Sequence, residues 1–286
     1  LYLLTSAFVA PQAERRLWIQ DDLLPQDSTD GRVKFWYDPA IGGKKYKDEL
    51  GWTKRDMDEF GVRSHLLAAK ALQEGYFTNG AGYPEGRKEG EIIPVEVEMP
   101  DGSKKVIDSD QSIRPDTSVE AVEKLKPAFK PDGVITAGNS SPLNAGAVSM
   151  LLMSKKKMKE YGLEPMAKIV SMGWAGVDPS VMGEGPVPAS RMALKHAGLE
   201  VKDIDYWEIN EAFAAVTLVC IQELEIDPER VSVNGGSVAI GHPVGATGAR
   251  ILMTLVYELR RRAGKYGLAT ICGAGAHGQA MIVEAL

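Results

Sequence analysis

DYWEINEAFAAVTLVCIQEL, residues 205–224, changes its period part-way along. The stretch up to Ile209 reads as a short strand. From Asn210 the apolar positions run on as a helix, with Asn210 where an N-cap belongs and Glu211 in a first turn that suits the helix dipole. A strand passing at once into a helix is the unit from which α/β layers are built, and the same alternation extends in both directions. Upstream lie AVSMLLMS (147–154) as an apolar strand, a lysine-rich helix over 155–161, AKIVSM (167–172) as a strand, and PASRMALKHAG (188–198) as a helix stopped by Gly198. Downstream, ARILMTLVYELRRR (249–262) reads as a helix, and YGLATIC (266–272) and QAMIVEAL (279–286) as closing strands. The expectation is an α/β layered domain around a buried sheet.

The N-terminal part is less regular. Residues 1–52 carry Pro11, Pro25, Pro39 and the pair Gly42-Gly43 with no sustained period. Thr53 and Asp56 form a capping-box-like start, and Met57, Phe60, Ser64, Leu67, Ala68, Ala71 and Leu72 then recur at helical spacing to near Gly75. TNGAGYPEGRKEG (78–90) reads as a Gly-rich loop. EIIPVEVEM (91–99) alternates like a half-buried strand, and DGSKK makes a turn into VID (106–108), as in a small inserted subdomain.

Composition narrows the function. A chain of 286 residues, 44% hydrophobic, can bury a sizeable core, and its net charge of -6 with scattered lysines and arginines gives no footprint for nucleic acid. LYLLTSAFVA is too short to span a bilayer and lacks the basic start of a signal peptide, so no membrane span is expected. The only cysteines, Cys220 and Cys272, lie 52 residues apart without metal-ligand spacing, which points to a reducing compartment and to no metal site.

Three polar residues stand at strand-to-loop edges, where α/β folds collect their ligands. His242 lies in GHPVGATGARI (241–251), between Gly241 and Pro243 and just before a helix start that favours negative charge; it is either held against a reacting group or a loop histidine capping its own backbone. Cys272 ends a strand before small residues, an arrangement in which a thiol meets a substrate beside backbone amides, though taken alone a strand cysteine is more often simply core. Asn210 is either a cap or part of the same edge. Cys220, on the apolar face of its helix, reads as core.

Taken together, NEAFA (210–214), VNGGSVAIGHPVGATGARI (233–251), CGAGAHG (272–278), TAGNSSPLNAG (136–146) and GEGPVPASRMAL (183–194) resemble the thiolase family, in the family's order and over most of residues 54–286. The resemblance implies a layered αβαβα fold of two similar halves with an inserted loop domain. Residues 1–20 would be the remnant of an N-terminal half-domain that is otherwise largely missing, 21–143 a loop domain that binds CoA, and 144–286 the C-terminal half, with 144–163 packing with the N-terminal half. The strand 147–154 would then lack its intended sheet partner, and an apolar face would be left open.

The resemblance also implies a ping-pong reaction, in which a cysteine takes an acyl group from one CoA thioester and a second acyl-CoA, deprotonated at its α-carbon, attacks it. In this reading His242 activates the nucleophilic thiol and then holds the thioester oxygen, Asn210 orients a water onto that oxygen, and Cys272 moves the α-proton. Ala274, where the family usually has glycine, would donate its backbone N–H to the other oxyanion hole. Ser141 corresponds to a pantetheine contact, Met182 to a residue lining the channel and Arg114 to a basic residue near the adenine nucleotide. Phe213 would wall the acyl pocket or belong to the core. His277 stands where the family commonly has other residues. No cofactor would be held permanently; acyl-CoA and CoA are the substrates, a homodimer or homotetramer the assembly, and the cytoplasm or an organelle matrix the location.

One departure is large. The family's acyl-accepting cysteine lies in an N-terminal segment that these 286 residues do not show, and neither Cys220 nor Cys272 matches it. The expectation is therefore further sequence of the same polypeptide, a partner chain that supplies the nucleophile, or a thiolase-like subunit that binds CoA ligands without catalysis.

Overall fold

The computed structural model describes residues 2–8, 51–78, 90–129, 131 and 133–286, of which 2–8 are described by backbone alone. Residues 79–89 of the Gly-rich loop expected over 78–90, the stretch 9–50 and the greater part of the 1–20 remnant lie outside the described residues.

In chain order the elements are β1 (Tyr2–Phe8), α1 (Lys54–Gln73), β2 (Ile92–Ile93), β3 (Val95–Glu98), β4 (Lys104–Ile107), α2 (Val119–Val122) and β5 (Ala147–Met153). They continue with α3 (Lys155–Tyr161), β6 (Ala167–Gly176), α4 (Pro186–Ala197), β7 (Tyr206–Ile209), α5 (Ala214–Leu224), α6 (Ser237–Ile240), α7 (Thr247–Arg261), β8 (Tyr266–Gly273) and β9 (His277–Ala285). The capping box of α1 forms as its sequence suggests, with the Thr53 side chain accepting from Asp56 N–H and the Asp56 carboxylate accepting from Thr53 N–H.

Seven strands form one sheet in the order β2-β1-β6-β9-β8-β7, with β5 joined to β1. β7 and β8 run parallel, with Ile209 opposite Thr270, while β9 is antiparallel to both β6 and β8. Apolar side chains from α4 and α5 pack on one face against Trp207, Ile209, Leu268 and Ile282. The other face is covered by α7, whose Ile251, Leu255 and Leu259 meet Met166, Ala167, Ala269 and Val283. This is the helix–sheet–helix part of the layered α/β architecture expected above.

The structure departs from the sequence reading in two places. Strand 147–154 is not left without a partner: β5 pairs antiparallel with β1 along its whole length, Tyr2 opposite Met153 through Phe8 opposite Ala147. An extended segment satisfies its backbone N–H and C=O groups at whatever compatible edge is present, and β1 provides one. Its Leu151 and Leu152 nevertheless remain about half exposed, as do Met172 and Trp174 on β6. The second departure is at α5, which begins at Ala214 with Phe213 at the cap position and no side-chain cap bond. Asn210 and Glu211 therefore precede the helix, and both are drawn elsewhere.

Candidate active site

Because β7 and β8 are parallel, the residues that follow them emerge at one edge. Asn210 comes immediately after β7, where its N–H donates to Thr270 O at 2.9 Å. Its side chain is fully buried. Oδ1 accepts from Ser237 Oγ at 2.6 Å, whereas Nδ2 has no partner. A buried amide NH2 left open is a donor waiting for a water or a ligand oxygen.

Ser237 opens α6, the single turn that delivers His242. Gly241 ends that turn at φ 97°, in the left-handed region, and a Cβ there would lie 2.5 Å from Asn144 Oδ1. Only glycine fits both demands, which is why a titratable ring sits on so tight a backbone. His242 N–H donates to Pro142 O at 3.0 Å, and its Nδ1 meets Thr247 Oγ1 at 2.8 Å. The Thr247 hydroxyl gives its own hydrogen to Pro243 O at 2.9 Å, so it receives one from the ring. Nδ1 thus carries the hydrogen and Nε2 the lone pair, the tautomer a base requires. Burial pushes the imidazole below the usual histidine value, which keeps that lone pair free at neutral pH.

Cys272 lies near the end of β8 and packs with Ala212, Val216 and Phe213. Burial pushes its thiol up to about 11, so the sulfur is protonated at rest. Cys220, fully buried in α5, is raised further by the same cause, with Cys272 close enough to add to the shift. After Cys272 the strand turns: Gly273 pairs with His277, and Ala274, Gly275 and Ala276 form the bend, the last two at φ 92° and 58°. The half-buried His277 ring lies over Gly273, with its Nε2 against the place where a Cβ would stand.

The segment 140–144 bridges the pieces. Ser141 donates both its N–H and its hydroxyl to Ala212 O, at 3.1 and 3.0 Å, while Pro142 O takes the His242 N–H. The links at this sheet edge run through intermediate residues: Ala212 takes both Ser141 bonds and packs with Cys272 and Phe213, Pro142 next to Ser141 meets His242, and Ser237 meets Asn210. Ala274 sits exposed on the adjacent hairpin. Phe213 is half-buried and meets Phe129 edge-on, with ring centroids 6.2 Å apart. Met182, half-buried in the turn Pro179–Glu184, and Arg114, exposed, are not among these bonds.

Sequence reading missed several supporting side chains. Glu211, fully buried, accepts from Ser64 Oγ of α1 at 2.6 Å and from Val238 N of α6 at 3.1 Å, so it clamps the turn that carries Ser237. Desolvation raises its carboxyl to about 7, against the hydrogen bonds from Ser64 and Val238. Glu208, on β7, is pushed well up by burial and by Glu211. Thr247 was within reach, being a hydroxyl five residues past His242 in the same motif. Ser237, Asn144 and Glu211 act through contacts that no local pattern announces.

Sheet order, the face packing and a histidine, an amide and a thiol at the carboxyl edge of parallel strands define a layered α/β protein with a polar site at that edge. Known proteins carry the assignment further. The family described as Thiolase, N-terminal domain matches residues 26–156, and Thiolase, C-terminal domain matches 163–285. The acetyl-CoA acetyltransferase of Syntrophomonas wolfei is 48% identical over 252 residues, covering 87% of this chain and 60% of its own length. The crystal structure of the Bacillus anthracis acetyl-CoA acetyltransferase superposes with a TM-score of 0.79 at 42% identity, covering 86% of this chain and 60% of that one. Human mitochondrial 3-ketoacyl-CoA thiolase superposes at 0.80 and 34% identity, over 99% of this chain and 71% of that one. The chain belongs to the thiolase family. It spans about 60% of the length of the curated relatives it matches. Among the described residues no helix is long and apolar enough to cross a membrane, and no group of His, Cys, Asp and Glu could hold a metal ion.

Proposed function

We propose that this chain carries the proton-transfer half of a thiolase active site, which transfers acyl groups between CoA thioesters by Claisen condensation or the reverse cleavage of a 3-ketoacyl-CoA. The observation that carries the reading is the pair of open groups at one edge: the His242 Nε2 lone pair, fixed by Thr247, and the unpartnered Asn210 Nδ2.

The protonation states set the order of events. His242 Nε2 takes the proton of the acyl-accepting thiol, which attacks the thioester carbonyl and breaks its bond to the CoA sulfur. The departing sulfur takes the Cys272 proton and leaves as free CoA. His242 is then an imidazolium and Cys272 a thiolate. A second acyl-CoA gives its α-proton to Cys272, and its enolate oxygen is held by His242 Nε2–H and by a water on Asn210. Carbon–carbon bond formation expels the acyl-accepting sulfur, which recovers its proton from His242, and both residues return to their resting states. Ala274 N–H serves the oxyanion of the acyl-enzyme; Phe213, Met182 and Ser141 line the acyl and pantetheine path, and Arg114 meets the nucleotide. Residues 21–143 act as the CoA-binding loop region and 144–286 as the C-terminal half. Exposed Met172, Trp174, Leu151 and Leu152 favour a homo-oligomer.

Cys220 is sealed in α5, and Cys272 already has a task, so the acyl acceptor comes from outside these 286 residues. The test is the intact mass of the natural protein under denaturing conditions, before and after acetyl-CoA. A mass well above 31.0 kDa with an acetyl adduct supports the reading. An acetylated partner chain alongside a 31.0 kDa species places the nucleophile in a second subunit. A sole 31.0 kDa species with no adduct leaves a CoA-binding subunit and ends the catalytic claim.

A further inference from the structure

The segment from Asp110 to Arg114 is held on four sides. Arg250 of α7 bonds both oxygens of Asp110, at 3.2 and 2.8 Å. Asn144, which also packs on Gly241, donates to Ser112 Oγ at 3.0 Å. Ile113 packs against Ala68, Ala239 and Ile240. At the far end, Arg114 N–H donates to His65 Nδ1 at 3.2 Å.

That last bond fixes the state of His65. A ring nitrogen that accepts an N–H holds a lone pair, so the hydrogen of the neutral ring is on Nε2. His65 is 7% exposed on α1, and burial followed by the Arg114 charge lowers it to about 4. The ring therefore remains an acceptor throughout the neutral range. What Nδ1 holds is the backbone under an exposed guanidinium.

We propose that His65 is a positioning residue for the CoA nucleotide: its Nδ1 anchors the backbone at Arg114 and so directs the Arg114 guanidinium toward the anionic nucleotide end of a CoA thioester. This rests on the reading above that Arg114 meets that end. An arginine reaching a phosphate from a loose loop must surrender more conformational freedom on binding, and an anchored backbone removes part of that cost. Three other anchors remain when His65 is changed, so the segment keeps its place in the fold while its last residue is released.

The experiment compares the affinity of the full-length protein for CoA and for pantetheine, which lacks the nucleotide, by titration calorimetry. His65→Leu fills much of the space without an acceptor; it is expected to weaken CoA about three- to tenfold, the worth of one neutral hydrogen bond, and to leave pantetheine unchanged. His65→Gln, whose carbonyl oxygen can accept, restores most of the loss, and adding His65→Leu to Arg114→Ala costs nothing further. Should the leucine variant not fold, His65→Met makes the same comparison. Equal weakening of both ligands, or an unchanged CoA affinity in the leucine variant while the wild type prefers CoA, overturns the role of His65 alone. A wild-type protein that binds CoA no better than pantetheine overturns the Arg114 reading and this proposal with it.

Discussion

Replacing Glu211 with glutamine should change how stability depends on pH. The carboxyl titrates near 7 in the fold, against an ordinary 4.5, because burial outweighs its hydrogen bonds from Ser64 and Val238. Below about pH 4.5 both folded and unfolded chains hold this proton, and the group has no pH-dependent effect. Between about 4.5 and 7 the folded state keeps a proton that the unfolded state releases, so stability falls as pH rises, and above 7 the loss is complete. The difference of about 2.5 units corresponds to roughly 3 kcal/mol. Glutamine keeps an acceptor for Ser64 and Val238 but never ionises. Its NH2 falls where Glu211 Oε1 now has no partner, at a cost of about 1–3 kcal/mol that is the same at every pH. The prediction is therefore a crossing. Glu211→Gln is the less stable protein at pH 4.5 and gains roughly 3 kcal/mol on the wild type by pH 8, read from urea midpoints at several pH values. Glu211 also helps to raise Glu208, so repeating the comparison in a Glu208→Gln background isolates Glu211. Parallel pH curves would refute the reasoning.

The remaining predictions concern the site itself. His242→Ala should slow acyl transfer and condensation alike, each by about 10²–10⁴, and full retention of either half-reaction in separate assays would count against the double role. Cys272→Ala should abolish condensation while sparing part of the acyl transfer; a variant with both half-reactions intact would sink the assignment. In the resting protein, alkylation of Cys272 by iodoacetamide, followed by mass spectrometry, should accelerate about tenfold per pH unit from 7 toward the thiol's value of about 11, and a flat profile would mean a thiolate already present at neutral pH. Gly241→Ala forces a Cβ onto Asn144 at a φ of 97°, so it should lower stability by about 1–3 kcal/mol in thermal melts and weaken catalysis by displacing His242. An unchanged melting temperature and rate would show that the tight turn is not needed.

What the sequence disclosed followed from how local each signal is. The start of α1 was readable because Thr53 and Asp56 bond each other within one turn. The helices and strands after residue 147 were readable because each carries its own period. Asn210 misled for the opposite reason: a good cap residue stood before a helical run, but its oxygen is claimed by Ser237, 27 residues on. Glu211 matched a dipole argument equally well and is instead buried against α1 and α6. The pairing of β5 with β1 joins segments about 140 residues apart, beyond the reach of any pattern along the chain. The site residues were named through motifs. The tautomer of His242 and the open amide of Asn210 needed the three-dimensional neighbours that set them.

Helix α7 has a property of wider consequence: every residue from Arg250 to Leu259 is buried, between the sheet on one side and Phe77, Glu91 and Asp110 on the other. A helix without a solvent face has no position at which an inserted residue could bulge outward, and a one-residue shift would rotate Arg250 away from both carboxylates. Lengthening of this chain by evolution or by design is thereby directed to places such as the exposed Asp101-Gly102 turn, while the helix that begins beside His242 holds its length fixed.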